Sequence, residues 1–499
     1  MSKLRSSAYL IAANLLTPII GFVSVPFFLR WFGEAGYAGY LYVVAVWGYV
    51  SLICPDYATG AQKRITEALA GDAEHAAKAV YQALIAGVLA NAACAFALGL
   101  LFGFIFHLPG GGAAGFPIMA AFLLCAGGYA FRAVSGAIDA LLRATERFGA
   151  MAARQSVETL TAAVAAFAFA YVTRSPAAIL LGGAVGAGVG LAGNLLILRH
   201  TRSRFVTKPR VDRRILGDLF LLNLKALPHA MVNQAAGGLD RLLLPFGGLS
   251  ITAVKNYALP YRLPETLSNL IAPAIDTTVP ELTRQSASGH EGFGRSIDRY
   301  GLQSLVCGAA LILVPSGWGA PFLKLWLNRM APHEGGLVVL LIGFYFCLNF
   351  YFSTLTRAFR ATGEMHYVVP FSGLNAIGTL ALTIPAAHLA GIVGVAAMNA
   401  AINGVQVVPF AFFLRRAAAR SFPAGSHVLK ALGILTFGSA GAFGCYCLTL
   451  TPFVVARPWL CLPGAPLAAL ATLLILAYLG PAPLPSGLVR FLPRLARPR

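Results

Sequence analysis

The chain has 499 residues, of which 58% are hydrophobic and 11% charged, and its net charge is +20. A soluble fold of this length does not carry so little charge, whereas a chain that crosses a membrane many times does. The surplus of bases does not mark a nucleic-acid binder, because they sit in short links between apolar runs with no interleaved aromatic surface.

Apolar runs of about 20 residues predict fourteen membrane spans. Their cores are 7–29, 38–60, 79–107, 116–142, 155–173, 177–198 and 218–246, then 253–280, 301–323, 336–356, 367–388, 391–414, 431–452 and 461–480. Lys3 and Arg5 precede a first run too long for a cleaved leader. With both ends cytoplasmic, 28 of the 38 lysines and arginines fall on cytoplasmic segments, five on outer links and five within spans. That is a strong positive-inside pattern. The basic link 199–217 suits anionic lipid. The outer links carry only Glu34 and Glu334 as acids, which argues against a glycan polymerase or glycosyltransferase with an outward-facing catalytic set. The eight cysteines make no Cys-x-x-Cys pair and no Cys/His cluster, so no metal site is expected.

The charges within spans recur at helical spacing. In the eighth span, Lys255, Arg262, Glu265, Asn269 and Asp276 stay within one sector of a helix. The second span offers Tyr42, Tyr49, Asp56 and Lys63, the fourth Arg132, Ser135, Asp139 and Arg143, and the seventh Lys225, His229, Asn233 and Asp240. A charge at the bilayer centre costs roughly 2.5–3.5 kcal/mol, so such stripes face other helices or a water-filled path rather than lipid. The same groups read equally well as structural pairs, Arg262 with Glu265 and Arg241 with Asp240. In the sixth span, Gly182-Gly183, Gly186, Gly188 and Gly190 predict close helix packing.

An internal repeat is also legible. Phe32-Gly33 and Tyr40 near the start correspond to Phe246-Gly247 and Tyr257, and Arg143-Ala144-Thr145 corresponds to Arg360-Ala361-Thr362. The matches keep nearly one offset, as two copies of a six-span unit would. The expected organisation is an all-α protein with a first lobe over 1–214, a second over 215–420, and two extra spans with a basic tail over 421–499.

The chain resembles the polysaccharide exporters, or Wzx-type flippases, of the multidrug/oligosaccharidyl-lipid/polysaccharide flippase superfamily. The resemblance rests on Asn14, Pro26-Phe27-Phe28-Leu29-Arg30, Gly33, Gly36-Tyr37, Gly39-Tyr40, Asp56, Gly60 and Arg64. Further along it rests on Asp240-Arg241-Leu242-Leu243-Leu244, Phe246-Gly247, Tyr257, Tyr261-Arg262-Leu263 and Pro280. It implies alternating access and no catalysis. The implied substrate is a glycan joined by pyrophosphate to a polyprenol, moved from the cytoplasmic to the outer leaflet of a bacterial inner membrane. Membrane lipid, a polysaccharide polymerase and assembly proteins are its implied partners.

On that reading Arg262, near mid-membrane, is the first phosphate ligand, since its planar fork can hold two oxygens at once. Lys255, Arg241 and Arg30 would receive the head group toward the outside, Arg132 and Lys225 toward the cytoplasm. Tyr42, Tyr49, Tyr257 and Tyr261 would stack on sugars, and Asn269 would line the path. A coupling proton or sodium ion would use Asp56, Asp139, Asp240, Glu265 or Asp276, with no other cofactor. The alternatives are a lipid II flippase and a cation-coupled drug extruder of the same superfamily.

Overall fold

The computed structural model describes residues 3–51, 54, 57–70, 73–107, 117–145, 147–201, 205, 208–221, 238–276, 293–362, 368–417 and 422–478. All regular structure among the described residues is helical. Among the described residues, ten helices are long and apolar enough to cross a membrane. The chain is therefore a multi-pass membrane protein, and it divides into two compact units, Met1–Gln234 and Ala235–Arg499.

The first unit contains α1 (Lys3–Val50), α2 (Tyr57–Ala70), α3 (Glu74–His107), α4 (Ile118–Ala144), α5 (Phe148–Thr173) and α6 (Ala177–Thr201). Two expected spans meet within α1 at Gly33, whose φ of 71° and ψ of 174° lie where only glycine is at ease. α3 packs on α4, α4 and α5 pack on α6, and α1 packs on α5. Phe27, Phe28 and Trp31 of α1 meet the ring of Phe167 on α5 at centroid distances of 5.7, 5.1 and 5.8 Å. Arg174, the left-handed cap of α5, lies 5.5 Å from the Trp31 ring and 5.0 Å from that of Tyr171.

Two boundaries differ from the sequence reading, and both matter for function. The span expected over 38–60 is not one helix. α1 stops at Val50, the Cys54 amide turns back to the Ser51 carbonyl at 3.2 Å, and α2 begins at Tyr57. Pro55 has no amide hydrogen to extend the ladder. Tyr42 and Tyr49 thus lie on a different helix from Lys63, and the stripe through Asp56 is not a continuous face. α5 starts at Phe148 rather than near 155, which carries Arg154 from an expected link into a buried helical position.

The basic link after α6 is pinned rather than loose where it is described. Phe205 is buried against Tyr81 with ring centroids 5.9 Å apart, and the Arg210 amide donates to the Gln82 carbonyl at 3.3 Å. Lys208 and Arg210 stay exposed.

The second unit opens on a helical stretch at 238–243 and a tight turn, Pro245–Gly247, followed by Gly248 at φ 75°. This turn falls where the repeat matches Phe246-Gly247 to the Gly33 bend. Then come α7 (Ile251–Asp276), α8 (Phe293–Gly308), α9 (Gly319–Leu327), α10 (Gly335–Thr362), α11 (Val368–Ala417), α12 (Ala424–Thr449) and α13 (Cys461–Tyr478). α11 is two spans meeting at Ala390 and Gly391, where the helical backbone breaks. The seventh expected span lies largely outside the described residues, at 222–237.

One apolar core joins α8, α10, α11, α12 and α13 through Leu305, Leu313, Tyr351, Phe410, Ile434 and Leu473. α12 is also held by a polar contact. Nδ1 of the fully buried His427 lies 2.7 Å from Asp298 on α8, and Nε2 lies 2.6 Å from the Tyr351 hydroxyl on α10. The two C-terminal spans are therefore built into this unit.

Candidate functional site

Among the described residues, each unit holds a polar network inside its apolar helices. In the first unit α4, α5 and α6 bring together Ser135, Asp139, Arg154, Glu158 and Asn194. Arg154 donates from Nη2 to Asp139 at 2.9 Å and from Nη1 to Glu158, four residues along its own helix. Asn194, with no exposed surface, donates from Nδ2 to the Ser135 hydroxyl at 2.7 Å and to Asp139 at 2.9 Å. The glycines of α6 make the room. A Cβ at Gly190 would stand 2.5 Å from a Glu158 carboxylate oxygen, and one at Gly186 would stand 2.5 Å from the Ala162 Cβ. The predicted close packing is real, and it also admits the ionic groups.

Arg132 sits at the edge of this network. Its side chain is 62% exposed, and its Nε lies 3.7 Å from Glu158. It stands twelve residues, about 18 Å, from the end of α4 at Ala144. It is a cation near mid-span that is open to its surroundings.

In the second unit Asp240 is 1% exposed. It accepts hydrogen bonds from the Tyr257 hydroxyl at 2.5 Å, from Asn399 Nδ2 at 2.8 Å and from the Arg241 amide at 2.7 Å. The network runs on through α11, where Asn403 donates to the Asn399 carbonyl at 3.0 Å and Asn375 donates to Asn403 at 3.5 Å. Two oxygens, Asn375 Oδ1 and Thr379 Oγ1, are buried without a hydrogen-bond partner. Arg241 does not close an ion pair with Asp240. Its guanidinium lies 4.0 Å from the centre of the Tyr261 ring, and its Nε and Nη2 lack hydrogen-bond partners.

The predicted residues therefore separate. Arg262 is half-buried and makes no hydrogen bond or ion pair among the described residues, so the expected pairing with Glu265 is not formed. Arg30 and Asn269 are exposed, and Tyr42, Tyr49 and Glu265 are half-buried. Lys255, at 2% exposure, is closed off inside its unit. Tyr257 and Tyr261, expected to stack on sugars, are both enclosed in this structure. The first is wholly buried and bonded to Asp240, and the second is 2% exposed and packed on Phe346 at 5.0 Å. Lys225 and Asp56 lie outside the described residues, as does the side chain of Asp276.

Arg154, Glu158, Asn194, Asn375 and Asn399 escaped the sequence reading. The i, i+4 pair Arg154/Glu158 was a usable signal. So was the i, i+4 repetition of amide and hydroxyl groups in Asn375/Thr379 and Asn399/Asn403.

A multi-pass helical protein with a charged or amide network buried in the spans of each unit has the build of a membrane transporter rather than of a passive anchor. The family model described as polysaccharide biosynthesis protein matches residues 4–285, and the chain belongs to that family. No curated protein matches it. Among solved structures, a lipid II flippase MurJ in an inward closed conformation is 14% identical with a TM-score of 0.70, covering 94% of this chain and 98% of that one. An outward-facing multidrug resistance MATE family transporter of the MOP superfamily is 13% identical with a TM-score of 0.57, covering 83% and 96%. The Vibrio cholerae MATE transporter VcmN in its bent form is 16% identical with a TM-score of 0.54, covering 84% and 100%. At these identities what is shared is the fold.

Proposed function

We propose that the chain is a flippase that carries a polyprenyl-pyrophosphate-linked oligosaccharide from the cytoplasmic to the outer leaflet of a bacterial inner membrane by alternating access. The observation that carries this reading is Arg262. It lies eleven residues into α7, half-buried and without an ionic partner among the described residues. An unpaired guanidinium at that depth is costly unless an anion visits it, and a pyrophosphate offers the paired oxygens its fork fits. Arg132 presents a second mid-span arginine in the first unit, largely exposed and 3.7 Å from Glu158.

The coupling ion is proposed to bind at Asp240. Its carboxylate accepts hydrogen bonds from neutral donors, and the unpartnered oxygen of Asn375 belongs to the amide chain that reaches it through Asn403 and Asn399. Oxygen ligands of this kind suit a hard cation or a proton. The fold likeness to a lipid II flippase makes that lipid the second candidate substrate.

The test is reconstitution in vesicles loaded with a polyprenyl-pyrophosphate oligosaccharide in one leaflet. Arg262→Ala should abolish transfer while the protein inserts and accumulates normally, and Asp240→Asn should remove the dependence on sodium or proton gradient. Full transfer by Arg262→Ala would take that residue out of the site. Transfer of lipid II alone by the native protein would favour the second substrate.

A further inference from the structure

The network of α4, α5 and α6 does not balance its own charge. It holds two carboxylates, Asp139 and Glu158, and one enclosed guanidinium, Arg154, whose side chain is 10% exposed. Asp139 is fixed on both sides, by Arg154 Nη2 and by Asn194 Nδ2. Glu158 has Arg154 on one side only, and its other oxygen faces Arg132 Nε at 3.7 Å. The surplus negative charge therefore lies next to the one cation of the cluster that is largely exposed. A separation of 3.7 Å is too long for a hydrogen bond and short enough for attraction. Gly190 keeps this arrangement free, since any side chain there would press on the Glu158 carboxylate.

We infer that Glu158 is the internal anion that occupies Arg132 when no substrate is bound and gives it up to the substrate's phosphate. This rests on Arg132 being a phosphate contact. Arg154 makes the exchange feasible, because Glu158 keeps one cation when it loses the other. In the empty carrier Glu158 neutralises a mid-span arginine that has no other ionic partner among the described residues. Its competition with phosphate also limits how tightly the head group is held. Glu158 is thus a positioning residue that acts through Arg132 and sets the balance between binding and release.

The test measures the affinity of the purified full-length protein in lipid discs for a sugar-free polyprenyl pyrophosphate. Arg132→Ala should weaken binding. Glu158→Gln should tighten it by about threefold or more, the scale of a partly exposed charge pair, and should slow repeated transfer in vesicles. In the Arg132→Ala background, Glu158→Gln should have no further effect on affinity. Asn194→Ala, which loosens the same network, should lower the melting temperature.

A tightening that persists without Arg132, or no tightening at all, overturns the exchange. Normal binding by Arg132→Ala overturns instead the assignment of that arginine to phosphate. If Glu158→Gln does not fold, the native protein still decides. Adding the probe should shift a carboxylate infrared band, and that shift should vanish in Arg132→Ala. An unchanged carboxylate spectrum on binding contradicts the exchange.

Discussion

Arg154 holds two carboxylates inside an apolar bundle, so its charge matters more than its bulk. Arg154→Met keeps much of the volume and strands Asp139 and Glu158 together. Breaking a buried ionic cluster from one side costs about 3–5 kcal/mol. We expect low accumulation and a clearly lowered melting temperature; a variant as stable as the native protein would show that the cluster is solvated. Sequence spacing found half of these groups. Ser135 and Asp139 stood out because they share a stripe with Arg132 on one helix. Arg154 falls between the expected spans 116–142 and 155–173, since the apolar run hides the true start of α5 at Phe148. Asn194, Asn375 and Asn399 are uncharged and so invisible to a search for charges in spans. Their importance arises from partners on other helices, which no one-dimensional pattern records.

At the scale of elements, α6 is shaped for its neighbours by glycine. A Cβ at Gly186 would lie 2.8 Å from the Glu158 carbonyl as well as against Ala162, so α5 and α6 would have to separate. Gly186→Ala should therefore destabilise by about 1–3 kcal/mol. Gly136, on α4, has nothing within 4 Å of its would-be Cβ. Gly136→Ala should be neutral or stabilising by up to about 1 kcal/mol, because alanine is the better helix former. Thermal unfolding of the two variants in one detergent compares them, and equal melting temperatures would refute the packing argument. The run of helices was largely legible from hydropathy, including the bends at Gly33 and at Ala390-Gly391, where short outer links were expected. The break after Val50 was not, because hydropathy stays high through the point where the helix ends.

At the scale of the molecule, the two units each carry a polar network, but the networks differ in kind. The first is ionic, with a surplus negative charge beside Arg132. The second is a single carboxylate, Asp240, set among amides and tyrosines. This difference suits a division of labour, with phosphate handled through arginines and the coupling ion through Asp240. Each unit turns at a glycine of positive φ, Gly33 and Gly248, close to the sequence match of Phe32-Gly33 with Phe246-Gly247, and Tyr257 of that match belongs to the second network. The measurement that tests flipping most directly is the leaflet distribution of lipid-linked glycans after deletion of the gene, read together with surface polysaccharide. The account predicts that a complete polyprenyl-pyrophosphate oligosaccharide accumulates on the cytoplasmic leaflet and that its surface polymer is lost. Unchanged glycans alongside new sensitivity to cationic drugs would contradict it.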